Sequence, residues 1–102
     1  MGCMVLRKNS ELSAEAISNF LKEYDESIKY VSENPGEAAE LVAKFEITGS
    51  AEIARAAIPE SNLVFISGEK IKEAIEGYYE VLFKADPASI GGKLPDDGFY
   101  YK

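Results

Sequence analysis

The sequence has no histidine, a single cysteine (Cys3) and no long apolar run. Without histidine, the chain lacks the commonest general base, the commonest metal ligand and any catalytic triad built on imidazole. One cysteine permits neither a disulfide within the chain nor a thiolate zinc site. No stretch approaches the ~20 apolar residues of a membrane-spanning helix, and the first residues lack the charged-then-apolar pattern of a secretory signal. We therefore expect no catalytic residues, no metal and no cofactor, and the composition does not favour an enzyme.

The charge balance argues against one class of partner. The 102 residues carry 11 basic and 18 acidic side chains, a net charge of −7. Nucleic-acid binding depends on clustered Lys and Arg that displace counterions from phosphates, so we expect no nucleic-acid partner. Hydrophobic residues make up 46% and charged residues 28% of the chain, which is typical of a folded domain rather than a disordered one.

Apolar residues recur at intervals of three and four over most of the chain, which indicates amphipathic helices. The pattern predicts a first helix over about 13–33, a second after residue 34, a third after residue 50 and a fourth after residue 67. The residues that we expect to begin or end these helices are Ser13, Asn34, Pro35, Glu37, Ser50, Pro59 and Ser67, as N-caps, a capping-box partner or helix-ending proline. Gly77, inside the fourth helix, predicts close packing against another element, because glycine destabilises an open helix by about 1 kcal/mol.

Two segments lie outside this helical pattern. Residues 3–6 (Cys-Met-Val-Leu) are too few for a helix and predict a short buried strand. Near the other end, Phe99, Tyr100 and Tyr101 are expected to pack on the helices, since three exposed aromatic rings favour aggregation. The predicted fold class is therefore mainly α: a four-helix arrangement with a short N-terminal β-strand and an aromatic tail.

Three short motifs have a chemical interpretation and a simpler structural one. Ser67 and Lys70 match the S-x-x-K nucleophile motif, but the companion motifs are absent and a helix cap explains Ser67. Residues 91–93 (Gly-Gly-Lys) resemble part of a phosphate loop, with leucine where the magnesium-binding Ser or Thr would follow. Residues 96–98 (Asp-Asp-Gly) are too few for a calcium loop. We interpret all three as caps and turns.

Several local sequences, taken in order, resemble the periplasmic solute-binding proteins of ABC transporters. They are most similar to the nitrate, sulfonate and taurine branch, which includes binders of pyrimidine thiamine precursors. The segments that carry the resemblance are residues 2–8 (Gly-Cys-Met-Val-Leu-Arg-Lys), Phe20, Leu21 and Tyr24, residues 34–39 (Asn-Pro-Gly-Glu-Ala-Ala), residues 58–65 (Ile-Pro-Glu-Ser-Asn-Leu-Val-Phe) and residues 90–101.

The resemblance implies a fragment of a two-lobed protein with a type II periplasmic-binding-protein fold. Residues 1–102 would form a single partial domain, the C-terminal part of the first lobe, with the second lobe absent. The implied parent is extracytoplasmic, periplasmic or lipoprotein-anchored, and it captures a small solute for an ABC permease. Gly2, Cys3 and Met4, next to the implied hinge, would contact the ligand.

Two further expectations follow. Half a cleft cannot close around a solute, so we expect the chain alone to bind none tightly. The strand at residues 3–6 would have unpaired edges and the helices uncovered apolar stripes, so we also expect a homodimer or larger oligomer. The alternative is a free-standing helical module whose apolar grooves bind a partner helix.

Overall fold

A computed structural model describes residues 2–101 of the chain. It contains four α-helices, which confirms the mainly helical fold class: α1 Ala14–Glu33, α2 Pro35–Lys44, α3 Ala51–Glu60 and α4 Glu69–Ala85. Two short 3₁₀ turns follow, at Pro87–Ile90 and Asp97–Phe99. The chain divides into a first compact unit that ends at Phe65 and a second that begins at Ile66.

The predicted N-terminal strand is wrong, because no residue within 2–101 adopts a β-strand. Residues 3–6 form an irregular, exposed segment. A strand exists only when its backbone N–H and C=O groups pair with a neighbouring strand. The described chain offers no such neighbour, so an apolar run of the right length and composition stays unpaired.

The first unit is built from α1, α2 and α3. The predicted cap of α1 is confirmed, since the Ser13 hydroxyl accepts a hydrogen bond from the Ala16 N–H at 3.1 Å. The predicted cap of α3 is confirmed in the same way by Ser50, which accepts from the Ile53 N–H at 3.2 Å. These bonds satisfy backbone donors that a helix start leaves unpaired.

The junction between α1 and α2 differs from the predicted capping box. Asn34 makes no side-chain cap bond to α2; its backbone N–H and side-chain amide both donate to the Tyr30 carbonyl and end α1. Glu37 instead accepts a 2.8 Å hydrogen bond from the Tyr30 hydroxyl. Pro35 occupies the start of α2, as predicted.

Two predicted helix boundaries are wrong by one or two residues. Pro59 lies inside α3, which continues to Glu60, because proline lacks only its own N–H and the last turn closes with a Ser61-to-Ile58 bond. Ser67 does not cap α4; Gly68 is the N-cap, with φ +67° and no side-chain cap bond. That backbone conformation suits glycine and strains other residues.

Very little of the described chain is fully buried. The buried side chains are three alanines in the first unit and one tyrosine in the second: Ala38, Ala39, Ala54 and Tyr100. The alanines lie on α2 and α3, where small side chains allow two helices to approach closely. Many large apolar side chains are exposed instead, such as Phe45 (69%) and Ile47 (73%) in the first unit and Val81 (65%) in the second. The helices therefore leave much of their apolar surface uncovered.

Candidate functional site

The predicted ligand residues lie in an irregular segment at the start of the described chain. Gly2, Cys3 and Met4 are all exposed, and the Cys3 thiol is free. None of the three lines the groove or the depression of the first unit that are described below. Their predicted contact with a solute stays a prediction.

Residues 2–8, here called the N-terminal arm, combine apolar and basic side chains. Met4 is 56% and Val5 85% exposed, and residues 2–6 take part in no hydrogen bond with another described residue. Arg7 and Lys8 are exposed and have no carboxylate within ion-pair distance among the described residues. The arm is thus an apolar segment followed by two unpaired positive charges.

A groove of about 390 Å³ crosses the first unit where α1 ends, α2 begins and α3 ends. We call it the apolar groove. It is lined by Val31, Ser32, Pro35, Ile58, Pro59, Asn62 and Leu63. Sequence reasoning assigned Pro35 and Pro59 to helix boundaries and did not place them together. The structure brings both prolines to the lining of this groove.

A shallow acidic depression on α1 adjoins the apolar groove. It is lined by Glu23, Glu26, Ser27, Tyr30 and Val31, and Val31 also lines the groove. These residues recur at intervals of three and four and therefore share one face of the helix. Neither Glu23 nor Glu26 has a cationic side chain within ion-pair distance among residues 2–101. The combined surface is apolar at one end and negative at the other.

Hydrogen bonds on α1 hold this surface in place. The Tyr30 hydroxyl donates to Glu37 on α2, and this bond to the neutral phenol raises the pKa of Tyr30. Lys29 forms an ion pair with Asp25 one turn earlier on α1, with Nζ and Oδ2 2.8 Å apart. That hydrogen bond raises the pKa of Lys29. Because both groups are solvated, the pair orders the helix surface more than it stabilises the fold.

The second unit carries an aromatic cluster at its tail. The rings of Tyr79 and Phe99 lie 6.2 Å apart, and Phe99 meets Tyr100 edge-on at 5.2 Å. Lys72 on α4 pairs with Asp97 at 2.8 Å. Tyr100 is 8% exposed, which confirms that it docks, whereas Phe99 and Tyr101 remain about half exposed.

The buried Tyr100 hydroxyl has no hydrogen-bond partner among the described residues. Burial and the charge of Glu76 raise its pKa, with burial the larger cause. A buried hydroxyl without a partner destabilises a fold by about 1–3 kcal/mol. Burial of the Tyr100 ring therefore stabilises this unit, whereas burial of its hydroxyl group destabilises it.

The short motifs considered above are not assembled into sites. Ser67 and Lys70 are both exposed, and Asp97 pairs with Lys72. Gly91 and Gly92 have φ of +78° and +84° and end the 3₁₀ turn, as the turn interpretation predicts. Within residues 2–101, no group of three His, Cys, Asp or Glu side chains is placed to hold a metal ion.

Comparison with known proteins adds no further assignment. No protein-family model, no curated protein and no solved structure matches this chain. Among the described residues, every helix is too short or too polar to cross a membrane. The candidate surfaces therefore rest on geometry alone: the apolar groove with its acidic depression, and the exposed arm.

Proposed function

We propose that this chain is part of the first lobe of an extracytoplasmic solute-binding protein that delivers a small solute to an ABC permease. The observation that carries the proposal is the amount of apolar surface that the helices leave exposed. Phe45, Ile47 and Ile53 in the first unit and Tyr78 and Val81 in the second are all exposed large apolar side chains. Helices that cover a sheet in a larger lobe would show such faces when the sheet is absent.

The apolar stripe of α1 supports the same proposal. Ile17, Leu21 and Ile28 are only half-buried, and Phe20 and Tyr24 are exposed. Phe20 stacks on Tyr24, and Tyr24 contacts the ring of Phe65, yet this contact covers only part of the stripe. A long amphipathic helix normally packs its apolar face against another layer, and the described residues of the first unit supply that layer along only part of α1.

The cavities of the first unit support the expectation that the chain alone does not capture a solute. Small-molecule sites are concave and bury most of the ligand. The apolar groove and the acidic depression are both open to solvent and are not lined by any cationic side chain. Tight capture of a nitrate- or sulfonate-like anion would then depend on a second lobe that closes over it. No covalent chemistry is part of this function.

The experiment that tests the proposal begins at the gene. We expect residues 1–102 to lie within, or directly beside, a reading frame that encodes the other lobe and a secretion signal, with permease and ATPase genes adjacent. The protein expressed from that frame should show a thermal shift with one member of a panel of nitrate, taurine, alkyl sulfonates and aminopyrimidines. The 102-residue chain, as the matched control, should show none.

Two results would contradict the proposal. One is a locus that has neither a second lobe nor transporter genes, which would favour the alternative of a free-standing helical interaction module. The other is micromolar binding of a panel solute to the 102-residue chain in calorimetry, because half a cleft should not hold a solute that tightly.

A further inference from the structure

We propose that two copies of this chain pair by exchanging their N-terminal arms, each arm lying in the apolar groove and acidic depression of the other copy. The inference concerns the 102-residue chain itself and does not depend on the proposed function. Four observations carry it: the chemistry of the arm, the matching chemistry of the groove, the spacing between their parts, and the reach of the arm.

The arm and the surface are complementary in both polarity and charge. The arm presents Met4, Val5 and Leu6 as exposed apolar side chains, followed directly by Arg7 and Lys8. The surface presents apolar walls at one end and Glu23 and Glu26 at the other. All four charged groups are without ion pairs among the described residues, so the contact would pair charges that the single copy leaves unpaired.

The distance between the apolar part and the charged part is similar on the arm and on the surface that it would contact. Glu26 precedes Val31 by five residues on α1, which is about 7.5 Å along the helix axis. On the arm, Lys8 follows Leu6 by two residues, which is about 7 Å of extended chain. An arm that places Leu6 in the groove near Val31 therefore places Lys8 at the level of Glu26.

The arm of the same copy does not reach this groove. Val31 lies 17 residues beyond the start of α1, about 26 Å along the axis, and the eight residues from Leu6 to Ala14 span about that distance only when fully stretched. A turn shortens them, because the Ser10 N–H donates to the Arg7 carbonyl at 3.1 Å and the Leu12 N–H to the Ser10 hydroxyl at 3.2 Å. The occupant is therefore the arm of a second copy.

Reciprocal exchange also explains why a closed dimer, rather than an open chain of copies, is the expected product. A two-fold dimer uses the same arm and the same groove on both copies, so both unpaired surfaces are covered at once. The net charge of −7 per chain opposes association, which makes the basic arm the natural point of contact.

Sedimentation velocity across the micromolar range tests the proposal. We expect a dimer for the natural sequence and at least about tenfold weaker association for Leu6→Asp, since a carboxylate would enter an apolar groove. Leu94→Asp is the matched control, the same change at a leucine of similar exposure outside the groove, and it should dimerise normally. Both positions are solvent-exposed, and far-UV circular dichroism verifies that both variants fold.

Charge-reversal variants distinguish arm exchange from non-specific association. The arm variant Arg7→Glu/Lys8→Glu and the groove variant Glu23→Lys/Glu26→Lys should each fail to self-associate. Mixed together, they should form a heterodimer, because each arm then meets a surface of opposite charge. A monomeric natural sequence, a Leu6→Asp dimer of normal strength, equal loss in Leu94→Asp, or no heterodimer on mixing would each overturn the proposal. So would a monomer whose arm is protected from hydrogen exchange, since its own groove would then hold it.

Discussion

The two units of this chain bury different kinds of side chain. In the first, α2 and α3 meet through Ala38, Ala39 and Ala54; in the second, the tail places the ring of Tyr100 among the side chains of α4. Alanine permits close approach of two helices but removes little apolar surface from water, whereas one aromatic ring removes about 150–250 Å². The first unit therefore has close helix packing with little hydrophobic burial at that contact. The second unit depends more on the hydrophobic burial of one ring.

The largest expected effect is in the second unit. Tyr100→Ala removes its buried ring, and such truncations of aromatic side chains destabilise a protein by about 3–5 kcal/mol. Hydrogen exchange read by mass spectrometry should show α4 losing its protection while α2 and α3 keep theirs. Tyr101→Ala, at a half-exposed ring, is the control and should change little. Unaltered protection of α4 in Tyr100→Ala would mean that the tail does not stabilise this unit.

In the first unit, the most informative substitution enlarges a buried side chain rather than truncating one. Ala39 is fully buried, so Ala39→Leu inserts three carbon atoms where no room exists and should destabilise the unit by about 1–3 kcal/mol. Ala56→Leu places the same side chain on an exposed position of α3 and should be nearly neutral. Urea unfolding followed by circular dichroism measures both. Equal midpoints would show that α2 and α3 do not pack closely.

Helix capping also distinguishes the two units, with a smaller expected effect. The predicted cap Ser50 formed in the first unit, whereas the predicted cap Ser67 did not form in the second. Ser50→Ala removes the bond to the Ile53 N–H and should destabilise the first unit by about 1 kcal/mol. Ser67→Ala should leave the second unit unchanged, since Gly68 holds the N-cap position. The shift in thermal midpoint distinguishes them, and a larger loss for Ser67→Ala would contradict the assigned start of α4.

The structure contradicts the close packing that the sequence predicts around Gly77. A Cβ built at Gly77 meets no atom within 4 Å, so the predicted close packing is wrong and Gly77→Ala should stabilise α4 by about 0.8–1 kcal/mol. Gly91→Ala should have the opposite sign, because φ of +78° strains an alanine. Thermal unfolding measures both. A destabilised Gly77→Ala would indicate that another surface covers α4 at that point.

The smallest effect is confined to alkaline pH. Burial raises the pKa of Tyr100 above its value of about 10 in an unfolded chain. This shift contributes stability in full below pH 10, and the contribution is lost as the pH rises through the raised pKa. Tyr100→Phe should remove that alkaline loss and, by deleting an unpartnered hydroxyl, should not lower the melting temperature at neutral pH. Tyr101→Phe should retain the natural pH profile, and an identical profile in both variants would contradict the burial argument.

The elements that sequence reasoning placed correctly depend on neighbours along the chain. Ser13 and Ser50 cap helices because their hydroxyls reach an N–H three residues away, and Gly91 and Gly92 end a turn through their own dihedral angles. The errors concern groups whose partners are distant or absent. Residues 3–6 lacked a second strand, Glu37 bonded to Tyr30 on the preceding helix, and Gly77 lacked a packed neighbour.

The sequence by itself determined the four helices, two of their four N-caps and the amphipathic stripe of α1, because those follow from the 3.6-residue period and from hydrogen bonds within one turn. The ligand role predicted for Gly2, Cys3 and Met4 depends on a cleft that local patterns do not specify. Only the tertiary structure decided which side chains are buried, that Pro35 and Pro59 line one groove with an acidic depression beside it, and that the arm is unpaired. The physical reason is that a groove is a property of the gaps between helix ends, and those gaps depend on how distant segments pack.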